Sequence, residues 1–159
     1  MNVSLVALAV IREPDRRILR GSSTLGPPVS TSVRHVEVHY DAAWKPISAE
    51  LDAVVQGTEV TVTSTFADGK ATSKITEAGK SSDKVDEVAA DAVVLPNVFF
   101  GTYAALAGRL AGVPVGTTVK AYIVPQAEVD VEVSALATER IETPKRNFAA
   151  KRYTLTFKT

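Results

Sequence analysis

The chain has 159 residues, enough to bury a core without disulfide or metal staples, and 45% of them are hydrophobic, as in an ordinary globular protein. Eighteen basic side chains balance eighteen acidic ones, so the basic excess that nucleic acid or an anionic membrane rewards is missing and neither partner is expected; a surface without net charge is also poorly guarded against self-association, which favours a homodimer. There is no cysteine, which removes disulfides, thiolate nucleophiles and cysteine-based zinc sites.

The longest apolar run, Val3 to Ile11, is too short to span a bilayer. Ala7-Leu8-Ala9 imitates the small-x-small end of a signal peptide. The basic leader is missing, however, and Arg12-Glu13-Pro14-Asp15-Arg16-Arg17 follows at once, so the run reads as a β-strand that opens the domain. From Val29 onward, polar and apolar residues alternate between short turns, the signature of half-buried strands. Strands are predicted at Val29–Asp41, Ile47–Gln56, Glu59–Ala67, Lys70–Ala78 and Ser81–Glu87, joined by turns at Gly57-Thr58, Asp68-Gly69 and Gly79-Lys80.

Those turns set a register. Pairing Gln56 with Glu59 places Val55 opposite Val60, Ala53 opposite Val62 and Ala49 opposite Phe66. Pairing Ala67 with Lys70 places Val62 opposite Ile75 and Phe66 opposite Ala71. Backwards, Ile47 meets Tyr40, Ala49 meets Val38 and Leu51 meets Val36. One face is apolar across four strands, which describes a meander.

A helix is predicted over 98–111, entered through Leu95-Pro96 with Asn97 as cap. Phe99, Tyr103, Leu106 and Leu110 form its apolar stripe, and Gly112 and Pro114 end it. Strands return at Thr117–Val124, Ala127–Ala137 and Phe148–Lys158. No linker is long enough to divide the chain, so 1–159 is expected to be one mainly β domain of nine or ten strands: an antiparallel meander curled around one α-helix.

From Gly26 onward the chain resembles the β-rich N-terminal module that precedes α/β-hydrolase domains in some bacterial proteins. The likeness rests on Val38-His39-Tyr40-Asp41-Ala42-Ala43-Trp44-Lys45-Pro46, on Thr65-Phe66-Ala67-Asp68-Gly69-Lys70-Ala71-Thr72-Ser73, on Val93-Val94-Leu95-Pro96-Asn97-Val98-Phe99-Phe100-Gly101 and on Ala150-Lys151-Arg152-Tyr153-Thr154-Leu155. The resemblance implies an open sheet curled around a helix, similar to half-barrel domains of periplasmic proteins, and hence a periplasmic or secreted location. It implies no activity for the module itself. No Gly-x-Ser-x-Gly elbow occurs, since Gly21-Ser22-Ser23-Thr24-Leu25-Gly26 does not match, so the serine chemistry of that family is not expected of these residues. A half-barrel exposes strand edges, through which two copies could pair.

Candidate chemistry lies on the polar face of the meander. His35, Glu37 and His39 point the same way, and the register sets them opposite Asp52, Glu50 and Ser48, with Thr63 and Lys74 continuing the row beyond Asp52. His35 beside Asp52 would be an oriented imidazole, suited to base chemistry or metal ligation. The competing reading is a solvated sheet face with ordinary cross-strand pairs. The two histidines lie about 13 Å apart along the strand, so a metal would need one of them plus carboxylates, or residues of a second chain. Glu128, Asp130 and Glu132 line up on another strand but lack the spacing and glycine of a calcium loop.

Three functions follow, the last a pure assembly module that docks on a partner through an open strand edge. The first is a non-catalytic accessory or small-ligand-binding domain whose curved sheet forms a cup, without a cofactor. The second is a small hydrolase of activated esters or phosphate esters, with His35, His39, Glu37 and Asp52 as catalytic candidates, Glu50, Thr63 and Lys74 contacting substrate, and metal assistance left open.

Overall fold

A computed structural model describes residues 5–158. Val3 and Ser4 of the predicted opening strand lie outside them. Seven strands form an antiparallel meander in chain order: β1 (Leu5–Arg12), β2 (Arg16–Leu25), β3 (Thr31–Asp41), β4 (Pro46–Val55), β5 (Thr58–Ala67), β6 (Lys70–Glu77) and β7 (Lys80–Glu87). A second sheet has the order β11-β10-β9-β8, built from β8 (Val93–Pro96), β9 (Thr118–Val124), β10 (Ala127–Glu142) and β11 (Asn147–Lys158). A 3-10 turn at Phe100–Thr102 leads into α1 (Tyr103–Arg109), the one α-helix among the described residues. The molecule is a mainly β half-barrel curled around that short helix. No helix among the described residues is long and apolar enough to cross a membrane.

Three successive hairpins of the meander share one turn chemistry. Gln56-Gly57, Asp68-Gly69 and Ala78-Gly79 each hold both central residues at positive φ (49° and 83°, 52° and 73°, 48° and 77°). That is the two-residue loop whose twist matches the twist of its strands. The first turn is therefore Gln56-Gly57, not the predicted Gly57-Thr58, and the third is Ala78-Gly79, not the predicted Gly79-Lys80, since Glu77 pairs with Lys80. With the first turn so placed, β5 slides by two residues against β4: Val55 faces Thr58, Ala53 faces Val60 and Leu51 faces Val62. A slip of two keeps every side chain on its predicted face. The β5–β6 register is as predicted, with Val62 opposite Ile75 and Phe66 opposite Ala71. Ala78 is the poorest residue of the three turns, because a Cβ without a local hydrogen bond is strained in the left-handed region. Ala78→Asn is expected to raise the unfolding free energy by about 1 kcal/mol, read from chemical denaturation; no gain would show that the turn is not strained.

Two strands escape the period-two reading. In β2, Ile18 and Leu19 are both buried, so alternation is lost. In β8 all four residues are buried and the pairing with β9 is parallel, and a strand covered on both faces shows a continuous apolar run. The helix is shorter than predicted. Asn97 makes no cap; Thr102 Oγ1 instead donates to the Phe99 carbonyl within the 3-10 turn, and Gly112, at φ +82°, follows the last helical turn. The β10–β11 ribbon is longer than predicted, pairing out to Glu142 opposite Asn147, where Thr143 and Arg146 close the turn on each other. A bulge between Val133 and Ala135 ends the burial of the alternating valines.

One core joins the two sheets. Val36, Val38, Tyr40, Leu51, Ala53 and Val62 from the meander meet Val94, Leu95, Tyr122, Val124, Val131 and Val133 from the second sheet, with Phe99, Leu106 and Leu110 between. Tyr40, wholly buried, donates its hydroxyl to the Val94 carbonyl and accepts from the Val94 N–H (3.3 and 3.1 Å). Phe66 meets Tyr122 edge-on, with centroids 5.9 Å apart.

Candidate functional site

The polar face carries all seven residues singled out from the sequence. His35, Glu37 and His39 stand opposite Asp52, Glu50 and Ser48 as the register requires. The side chains nevertheless choose other partners. A bulge between Val33 and His35 adds Arg34 to this face, and Arg34 takes Asp52 with two nitrogens (Nε 3.0 Å, Nη2 2.6 Å) while its third reaches Glu59 at 3.1 Å. Asp52 is thus paired with arginine, and the oriented His35–Asp52 pair does not form. Thr63 and Lys74 continue the row from Glu50 rather than from Asp52, because of the two-residue slide of β5.

Glu37 is the hub instead. Arg20 of β2 donates to one of its oxygens, His39 Nε2 lies 2.6 Å from the other, and His35 Nε2 stands at 3.9 Å. The Arg20 hydrogen bond, with help from His39 and against partial burial, keeps the Glu37 carboxyl below its ordinary titration range. An ionised carboxylate with both oxygens engaged orients imidazoles and ties β2 to β3; it is a poor proton acceptor for chemistry. Glu50, Thr63 and Lys74 are exposed.

The β10 carboxylates are also engaged. Glu128 accepts from the Ala89 N–H (2.5 Å), Asp130 pairs with Lys120 (2.6 Å) and Glu132 pairs with Lys158. Among the described residues no group of three histidine or carboxylate side chains is placed to hold a metal ion.

A concave, largely apolar site lies elsewhere, at the Gln56 end of the half-barrel. There the inner face of β4–β6 separates from the β9–β10 turn and the segment after β8, leaving a cleft of about 410 Å³. Leu51, Val55, Val60, Val62, Ile75 and Val98 make it apolar, while Gln56, Glu77, Asn97 and Gln126 put amides and one carboxylate in its lining. Cross-strand pairing explains the row: Val60 sits between Ala53 and Glu77, and Val62 between Leu51 and Ile75. None of the seven sequence candidates lines the cleft. The alternation of Val60, Val62 and Ile75 did mark an inward face. What failed to show in sequence was that the second sheet leaves this end of the face uncovered.

A polar cluster, buried at Ser64, Ser73 and Tyr122 and partly exposed at Asp86 and Lys84, stands on the same inner side. Ser64 and Ser73 hydroxyls lie 2.7 Å apart, and Tyr122 donates to Asp86 (2.6 Å), which also pairs with Lys84 (3.0 Å). Lys84 in turn donates to the carbonyls of Pro125 and Gln126 (3.0 and 2.5 Å), fastening the β9–β10 turn that borders the cleft. Comparison of the chain with protein-family models, with curated proteins and with solved structures gives no match.

Proposed function

We propose that the chain is a non-catalytic β domain that binds a small, largely apolar molecule in the cleft at the Gln56 end of its half-barrel. The observation that carries this reading is the cleft itself: a concave apolar space of about 410 Å³ with a few polar groups on its lining. Pockets for small ligands have this size and make-up, roughly 300–1,000 Å³, with apolar walls for affinity and sparse polar groups for orientation. The amides of Gln56, Asn97 and Gln126 both donate and accept, which suits an uncharged hydroxyl- or amide-bearing end on an apolar body. The Lys84 contacts to the β9–β10 turn support the reading by giving the cleft a fixed wall.

The test uses a neutral apolar dye, N-phenyl-1-naphthylamine. Titration is expected to give a saturable, one-to-one rise in fluorescence. Val60→Trp fills the space and is expected to weaken binding at least about tenfold, equivalent to about 1.4 kcal/mol, with an unchanged unfolding midpoint. A non-saturating rise, or a dye affinity indifferent to Val60→Trp, would remove the cleft as a binding site.

A further inference from the structure

Among the described residues nothing guards the free side of the edge strand β1. From Leu5 to Ile11 it holds no charge, proline or glycine. Val6, Leu8 and Val10 share the inner side, facing Ser23, Gly21 and Leu19 across the pair, and Leu5, Ala7, Ala9 and Ile11 share the outer side. A strand apolar on both sides is the pattern of one that is covered on both, yet Leu5 is 68% exposed and Val6, Leu8 and Val10 are 41–43% exposed. The other edges are defended as monomeric proteins defend theirs. At the far edge of the same sheet, β7 carries Lys80, Asp83, Lys84, Asp86 and Glu87; β11 carries Lys151, Arg152 and Lys158; β8 is four residues long.

The order of residues in β1 points to its partner. Outward from Leu8 the strand reads alike in both directions: Ala7 and Ala9, Val6 and Val10, Leu5 and Ile11. An antiparallel pair of two copies with a two-fold axis at Leu8 sets alanine across from alanine, valine across from valine and leucine across from isoleucine. Each cross-strand pair is then matched in size, and each pair off the axis occurs twice, as a two-fold interface requires. We propose that the protein is a homodimer in which β1 of one copy pairs antiparallel with β1 of the other about a two-fold axis at Leu8, joining two seven-stranded meanders into one continuous sheet. The assembly closes, because the sheet edges left over are the two charged β7 strands. Seven residues of strand edge cover only about 230 Å² per copy, from ~3.3 Å per residue and a sheet ~10 Å thick, against about 800 Å² per partner in a standard interface. Phe100, 61% exposed in the 3-10 turn that packs against β1, extends the apolar surface on the inner side. The proposal is independent of the ligand reading.

Single cysteines test the register, since the chain has none of its own. Opposed Cα atoms in an antiparallel pair lie about 4.5–5.5 Å apart, within the span of a disulfide. Leu8→Cys faces itself across the axis and is expected to convert almost fully to a covalent dimer on mild oxidation. Val6→Cys alone is expected to stay unlinked, and an equimolar mixture of Val6→Cys and Val10→Cys to link. Sedimentation of the unmodified chain is expected to give twice the monomer mass, and of Leu8→Lys, which opposes two ammonium groups at the axis, the monomer mass with unchanged circular dichroism. An unmodified chain that is monomeric at all concentrations, a ladder of higher oligomers, or Val6→Cys linking alone as readily as Leu8→Cys would each overturn the proposal.

Discussion

Phe99→Ala is expected to lower the unfolding free energy by about 3–5 kcal/mol, the range for an aromatic ring removed from a core. Phe99 is 1% exposed and packs where the meander, the 3-10 turn and α1 meet. Its ring lies against two glycines: a Cβ on Gly21 would come within 2.5 Å of the ring, and one on Gly101 within 2.4 Å. The glycines have no side chains to lean inward, so of the groups around Gly21 and Gly101 only Leu8 is placed to move toward the vacated space, which keeps the cost within that range. Gly21 is constrained from a second side, since the same Cβ would stand 2.3 Å from the backbone oxygen of Ala7. Gly21→Ala is therefore expected to cost about 1–3 kcal/mol by overpacking. Trimming the ring with Phe99→Leu should not rescue it, because the Ala7 carbonyl belongs to the β1–β2 ladder and cannot retreat. Urea denaturation of the two single variants and the double variant decides the matter. Full rescue by Phe99→Leu would show that the ring alone excludes a side chain at Gly21.

The second large effect is alkaline. Burial raises the Tyr40 phenol well above its ordinary pKa, and Tyr122 is raised by burial and by its hydrogen bond to Asp86. Unfolded, both phenols ionise near pH ~10. Below that pH both states keep the proton and stability is unaffected. Above it the unfolded chain loses protons that the folded chain retains, so stability falls as pH climbs toward the raised folded values. For Tyr40 the loss approaches about 1.4 kcal/mol per pH unit. Tyr40→Phe is expected to flatten that slope while lowering stability at neutral pH by about 1–3 kcal/mol, since the buried Val94 N–H and C=O lose their partner. Urea midpoints for both proteins between pH 8 and 11 provide the check. Equal slopes would mean that Tyr40 ionises in the folded state without penalty.

The fold was legible in sequence wherever structure is local. Alternation placed β3 to β6 and a turn signal placed β7, Asp68-Gly69 set its own register, and Val36, Val38, Leu51 and Val62 took the inner face. The misplaced first and third turns did no damage to that assignment, because a slip of two residues returns each side chain to the same side. The parts that were not legible depend on neighbours distant in sequence. β8 shows no alternation because it is covered on both faces. The helix differs for a local reason: its predicted first turns are taken by the 3-10 turn in which Thr102 donates to the Phe99 carbonyl.

The candidate site divides the same way. Alternation put His35, Glu37, His39, Asp52, Glu50, Thr63 and Lys74 on one polar face, and they are there. The pairing on that face was decided by Arg34 and Arg20: one arrives through a bulge and the other on a strand whose alternation is broken, and each claims a carboxylate. By itself the sequence determined a mainly β chain, the inward and outward faces of the meander and the absence of thiol chemistry, because composition and a period of two need no knowledge of the far side. Only the tertiary structure decided where the concave space lies and which strand edge is left bare. Both depend on how far the second sheet reaches across the first, and that reach is set by the docking of Phe99, Tyr40 and Tyr122 between sheets distant in sequence.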